Sequence, residues 1–94
     1  MKMYIVIKDT VPYHMVPVIT AHASLACFLA YKEEEYMKLW LQDKFYKVVC
    51  SASTSVFNDL KSESKNIVLT ESKLNNEEAC IVFCPRPELS LIHI

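Results

Sequence analysis

The chain has 94 residues, is 52% hydrophobic, carries a formal net charge of −1 and contains no glycine. That length suits a single domain with a core that needs neither metal nor disulfides. The charge argues against a strong electrostatic grip on nucleic acid. The missing glycine excludes a P-loop and a dinucleotide-binding turn, whose backbones depend on it.

Lys2–Ile7 (KMYIVI) is rich in β-branched and aromatic residues and predicts a buried strand. Lys8–Met15 reads as a loop punctuated by Asp9, Thr10, Pro12 and Tyr13. Pro17 suits a first helical turn, so a helix is expected over Val16–Tyr31 (VPVITAHASLACFLAY). A helix this apolar must be covered on more than one side. Val18, Leu25, Phe28 and Leu29 are expected to supply its bulk, and Ala21, Ala23, Ala26, Cys27 and Ala30 its close approach to a neighbour. Its histidine, His22, is either a core histidine bonded to a carbonyl or hydroxyl, or part of a site.

Glu33–Leu41 predicts a second helix, with glutamates at its electropositive start and Tyr36, Leu39 and Trp40 on one stripe. Phe45–Cys50 (FYKVVC) is a second strand. Ser51–Thr54 offers N-caps for a third helix over Ser55–Ser62, with Val56, Phe57 and Leu60 inward. Asn66–Thr70 is a third strand and Glu71–Glu78 a polar turn, in which Asn75-Asn76 does the work glycine would otherwise do. Ala79–Cys84 is a fourth strand, stopped by Pro85 and Pro87.

The order β-α-α-β-α-β-β predicts an α/β domain, of two or three layers, around a small mixed sheet. Helical crossovers imply parallel, right-handed connections among the first three strands, and the last pair is antiparallel if adjacent. The domain covers residues 1–88. The tail 89–94 (LSLIHI) does not continue the pattern; it reads as a truncated element or as sequence foreign to the domain, like a translated library-adapter end.

Cys27, Cys50, Cys80 and Cys84 lack zinc-type spacing. Cys80 and Cys84 share a strand face roughly 13 Å apart, too far to bridge. Met1–Ile7 is too short for a secretory leader, and His22 interrupts the longest apolar run before the roughly 18 residues of a membrane span. The expectation is a cytoplasmic protein with reduced thiols and no membrane contact.

Ligands of α/β sheets gather beyond the carboxyl ends of the parallel strands. The loop Lys8–Met15 with the first helix, Ser51–Ser53, and Thr70-Glu71-Ser72 are expected to converge there. His22 lies near that rim and His14 in the loop. A histidine and a carboxylate facing one cleft perform general acid–base work near neutral pH. His22 and Glu71 are therefore the candidate catalytic pair, and Lys8, Ser51, Thr70 and Ser72 the candidate binding residues. The plainer alternatives are a solvated Glu71, an exposed His14, and cysteines acting as small core hydrophobes. His14, His22 and the cysteines have no metal-ligand spacing, so neither metal nor cofactor is expected.

The segments IVIKD…ITAHASLA, FYKVVCSAS, NIVLTES and ACIVFCPRPE, in that order, resemble the type II peptidyl-tRNA hydrolase-like superfamily, closest to a short bacterial branch of it. The resemblance covers Met1 to about Glu88. It implies a four-stranded mixed sheet with helices on both faces, a homodimer, and a closing helix after FCPRPE that this chain lacks. It also implies ester hydrolysis on peptidyl- or acyl-tRNA. The family's lysine and glutamine positions fall on Met15 and Ile19, its aspartate on Glu71, and the following glycine and threonine on Ser72, Lys73 and Leu74; His22 is kept. Lys8 and Lys73 are the available replacement cations. Two functions follow from different classes. One is an acyl-tRNA hydrolase in which Glu71 activates water, directly or through His22. The other is a catalytically inactive module binding a small ligand or a protein on the same fold.

Overall fold

The computed structural model describes residues 1–87; the tail 89–94 and the position of the implied closing helix lie outside them. In chain order the elements are β1 (Met3–Lys8), a 3-10 turn (Tyr13–Met15), α1 (Val16–Tyr31), α2 (Glu35–Gln42), β2 (Lys47–Ala52), α3 (Thr54–Leu60), β3 (Asn66–Glu71), a second 3-10 turn (Ser72–Leu74) and β4 (Glu77–Phe83). The architecture is the expected α/β one, a four-stranded mixed sheet in the order β2-β1-β4-β3.

β1 pairs parallel with β2 and antiparallel with β4, and β4 pairs antiparallel with β3. The first three strands thus run in one direction, but β4 lies between β1 and β3, so only β1 and β2 are parallel neighbours. The short β3–β4 connection accounts for this. Asn75 and Asn76 both take left-handed φ values, 56° and 60°, which asparagine adopts at little cost, and Asn76 N–H donates to the Glu71 carbonyl at 3.0 Å. The hairpin so formed lays β4 directly beside β3.

Two strands depart from their expected forms. Phe45 has a φ of 57°, which a strand cannot accommodate, so β2 begins only at Lys47. In β4, Cys80 pairs with Leu69 and Glu78 with Thr70, leaving Ala79 as the extra residue of a β-bulge. Ala79 and Cys80 consequently both belong to the core on the α1 side of the sheet.

Helices cover both faces. On one, Met3, Ile5, Ile7, Cys80 and Val82 meet α1 and α2; on the other, Tyr4, Val6, Ile81 and Phe83 meet Phe57 and Leu60 of α3. β1, buried on both faces from Met3 to Ile7, accordingly reads as a continuous apolar run. Ser53 caps α3, its side chain accepting from Val56 N–H at 3.3 Å.

α1 meets the sheet with an unexpected face. Ile19, Ala23 and Cys27 are buried, whereas Val18, Leu25 and Leu29 are 57%, 60% and 58% exposed. The narrow Ala23–Cys27 strip lets the helix approach the strands closely, and Cys27 Sγ–H points to the Phe83 carbonyl at 3.4 Å. Contrary to the expected limit on apolar runs, Tyr13–Tyr31 forms 19 helical residues of mean hydropathy 1.3, long and apolar enough to cross a membrane. In the fold, one strip of that helix packs on the domain's own sheet. In α2 the buried pair is Met37 and Trp40, while Tyr36 and Leu39 are exposed. Trp40 is fixed by its indole N–H, which donates to the Tyr46 carbonyl at 2.7 Å.

All four cysteines are free. Burial pushes the Cys27 and Cys80 thiols up to about 12 and raises Cys50 and Cys84 as well. Cys27, Cys80 and Cys84 are inert core groups rather than nucleophiles, and Cys50 is half-buried.

Candidate functional site

β1, β2 and β3 end on the same side of the sheet, and α1 starts there. Between the start of α1 and the turn after β3 lies a cleft of about 630 Å³. His14, His22, Glu71, Ser72 and Lys73 form its polar lining, and Met15, Val18, Ile19 and Leu74 contribute apolar walls. A notch of about 150 Å³ opens beside it, bounded by Ile19, His22, Leu69, Thr70, Glu71 and Ala79. Ile19, His22 and Glu71 line both spaces.

The histidine is therefore not a core group. No polar or charged side chain is buried among the described residues, and His22 is exposed, one helical turn from Val18 along the solvent-facing side of α1. It is held on a rigid helix with its imidazole free to meet a ligand. Glu71 is the last residue of β3, and its Oε1 accepts from the backbone N–H of Lys73 at 3.2 Å. That bond caps the 3-10 turn and fixes the carboxylate at the cleft.

The sequence places Lys8 and Ser51 at the same rim, but they line a different cavity, of about 360 Å³, with Asp9, Tyr13 and Val49. The segment Val11–Val16 forms the ridge between the two spaces: Val11, Tyr13 and Val16 face one, Pro12, His14 and Met15 the other. The Lys8 ammonium lies over the Phe57 ring, 5.4 Å from its centroid, on the α3 side of the sheet. Of the two candidate replacement cations, only Lys73 lines the His22–Glu71 cleft. Thr70 borders the notch and Ser72 the main cleft.

Ala79 carries no polar chemistry by which a sequence could mark it as a site residue. Its role arises from the bulge, and a bulge leaves no pattern in a run such as EEACIVFC. His14, read as an exposed loop residue, is exposed but also part of the cleft, because the loop closes into a 3-10 turn around it. Among the described residues no group of three or more His, Cys, Asp or Glu is placed to hold a metal ion.

The fold and the cleft define a small α/β domain with a histidine and a glutamate lining one cleft at the carboxyl edge of its sheet. No family model matches the sequence, and no curated protein is significantly similar to it.

Proposed function

We propose that the cleft hydrolyses the ester that joins a peptidyl or acyl group to tRNA. The observation that carries this reading is that His22 and Glu71, from α1 and the end of β3, line one cleft with Ser72 and Lys73. Glu71 takes a proton from water as the water oxygen attacks the ester carbonyl. The developing oxyanion meets the Lys73 ammonium, which does the work a family lysine would do. On collapse, the carbon–oxygen bond to the ribose breaks, and the proton that Glu71 took passes by way of His22 to the departing oxygen. Met15 and Ile19, at the positions of the family's lysine and glutamine, also fall on the cleft wall, in support of the resemblance. Incubation with N-acetyl-aminoacyl-tRNA tests the reading: release of the N-acetyl amino acid, lost in Glu71→Gln, supports it, and no release from folded protein overturns it.

A second reading, a catalytically inactive binding module, is favoured by the bond between Glu71 and Lys73 N–H, which gives the carboxylate a structural task. The slightly acidic chain also suits a small ligand better than a polyanion. Binding of tRNA weakens steeply with salt because phosphate contacts release counterions, so salt-insensitive ligand binding favours this second reading.

The homodimer remains part of the proposal. Leu25 and Leu29, neither of which lines the His22 cleft, stand more than half exposed on successive turns of α1 and support an apolar contact with a partner. A second copy of the chain is the occupant that the resemblance implies.

A further inference from the structure

We infer that a second copy of the chain docks on the outer edge of β2, where β2 pairs antiparallel with its own counterpart about Val49 and joins the two sheets into one. The inference rests on the homodimer proposed above and names the surface that forms it. β2 ends the sheet, in the order β2-β1-β4-β3. Met3 N–H donates to the Tyr46 carbonyl at 2.9 Å and Asp9 N–H to the Ala52 carbonyl at 2.8 Å. A parallel ladder engages alternate residues, so Val48 and Cys50 also turn their backbone groups to β1. Lys47, Val49 and Ser51 turn theirs outward, and all three residues are exposed. Native edges are commonly blunted by a cover, a bulge or charge. β3, at the other edge, has the first two: the Tyr31 hydroxyl donates to the Asn66 carbonyl at 3.0 Å, and the register shifts between Leu69 and Thr70. β2 keeps an unbroken register with β1. Its one charge, Lys47, is folded back onto its own protomer, with Nζ 5.1 Å from the centroid of the Trp40 ring and donating to the Phe45 carbonyl at 3.3 Å.

The outward residues are symmetric about Val49, so a two-fold axis beside it satisfies all of them at once. Val49 meets Val49 of the second copy, and Lys47 meets its Ser51; each such pair exchanges both backbone bonds. The residues between fall into register as well, Val48 against Cys50 of the second copy. No charge meets its like, the condition an edge must satisfy to pair with itself. Val48 and Cys50 pack on the α3 side of the sheet. On the other side Val49, 46% exposed, gains an apolar neighbour in its counterpart. Leu25 and Phe28 of α1 border the hollow beside Trp40 and Lys47, so the apolar flank of α1 continues onto this edge. Val49 and Ser51 also line the cavity that holds Lys8, so Lys47 of the second copy stands at that cavity's outer wall.

The test is sedimentation equilibrium of the unmodified protein and of Val49→Lys, together with disulfide trapping of Val49→Cys and Leu29→Cys, both in a Cys50→Ser background. Val49→Lys sets two like charges against each other at the axis. The position is exposed, so the protomer stays folded, which circular dichroism checks. The expected result is a dimer in the unmodified protein, with a dissociation constant that Val49→Lys raises roughly tenfold or more. Oxidised Val49→Cys is expected to run as a disulfide-linked dimer, because residues directly opposite in such a pair lie about 5.5 Å apart at Cα, within reach of a disulfide. Leu29→Cys, on α1 away from this edge, is expected to stay unlinked. A dimer that Val49→Lys leaves intact, or one trapped through Leu29→Cys and not through Val49→Cys, overturns the edge pairing and leaves the homodimer standing. A monomer at every concentration overturns both.

Discussion

The Glu71 carboxylate accepts the backbone N–H of Lys73 at 3.2 Å, so one side chain both caps the turn after β3 and faces the cleft. The two tasks respond differently to substitution. Glu71→Gln keeps an acceptor for Lys73 N–H and should leave stability nearly unchanged while removing the base. Glu71→Ala should cost about 1 kcal/mol, the usual loss when a capping side chain is deleted. Urea unfolding of the two variants separates the roles, and equal destabilisation by both would show that the capping bond is not what fixes this turn.

His22 is exposed and accordingly replaceable in structural terms. We expect His22→Ala to change stability by less than about 0.5 kcal/mol, as for surface positions generally. Phe57→Ala, at a fully buried position on the opposite face, should cost about 3–5 kcal/mol. A loss of about 1–3 kcal/mol in His22→Ala would restore the core-histidine reading, because it would signal partners left unpaired.

The buried thiols predict an alkaline limit to stability. Cys27 and Cys80 are pushed from an ordinary 9.0 up to about 12 by burial. A thiol whose folded value is the higher one holds its proton better in the folded state. Its contribution is therefore complete below the unfolded value of 9.0 and is lost as pH rises toward about 12. Urea midpoints should be flat from pH 7 to 8.5 and fall above that. At neutral pH, half-buried Cys50 should react with a maleimide before Cys27, Cys80 or Cys84. Uniform labelling of all four would contradict the packing of α1 on the sheet.

If a second copy covers α1, charge placed on its exposed stripe should prevent assembly. Leu25→Glu with Leu29→Glu is expected to convert a dimer to a folded monomer in light scattering, because neither side chain supports the protomer's core. A monomer in the unmodified protein would remove the homodimer from the account.

The elements of this fold were legible to different degrees, for physical reasons. α1 was placed residue for residue, since Pro17 marks its start and its apolar run is unbroken by a turn signal. Which face it buries was not legible, because a helix apolar on every side carries no amphipathic stripe to read. Close approach to the sheet decided it, favouring Ala23 and Cys27 over Val18, Leu25 and Leu29. The separation of Lys8 and Ser51 from His22 and Glu71 depends on the ridge Val11–Val16, a tertiary feature without a sequence pattern. The bulge at Ala79 was equally invisible, being a matter of register between strands. His22 and Glu71, by contrast, could be placed near one rim from their positions on α1 and at the end of β3, and both line one cleft.

The most direct measurement is turnover of N-acetyl-leucyl-tRNA by the unmodified protein, by His22→Ala, by Glu71→Gln and by the double variant. The account predicts hydrolysis that each single change reduces severely, with the double variant little worse than the more damaged single one, because groups acting as a unit are not additive. Hydrolysis unaffected by either change, or none at all from protein shown to be folded, would contradict it.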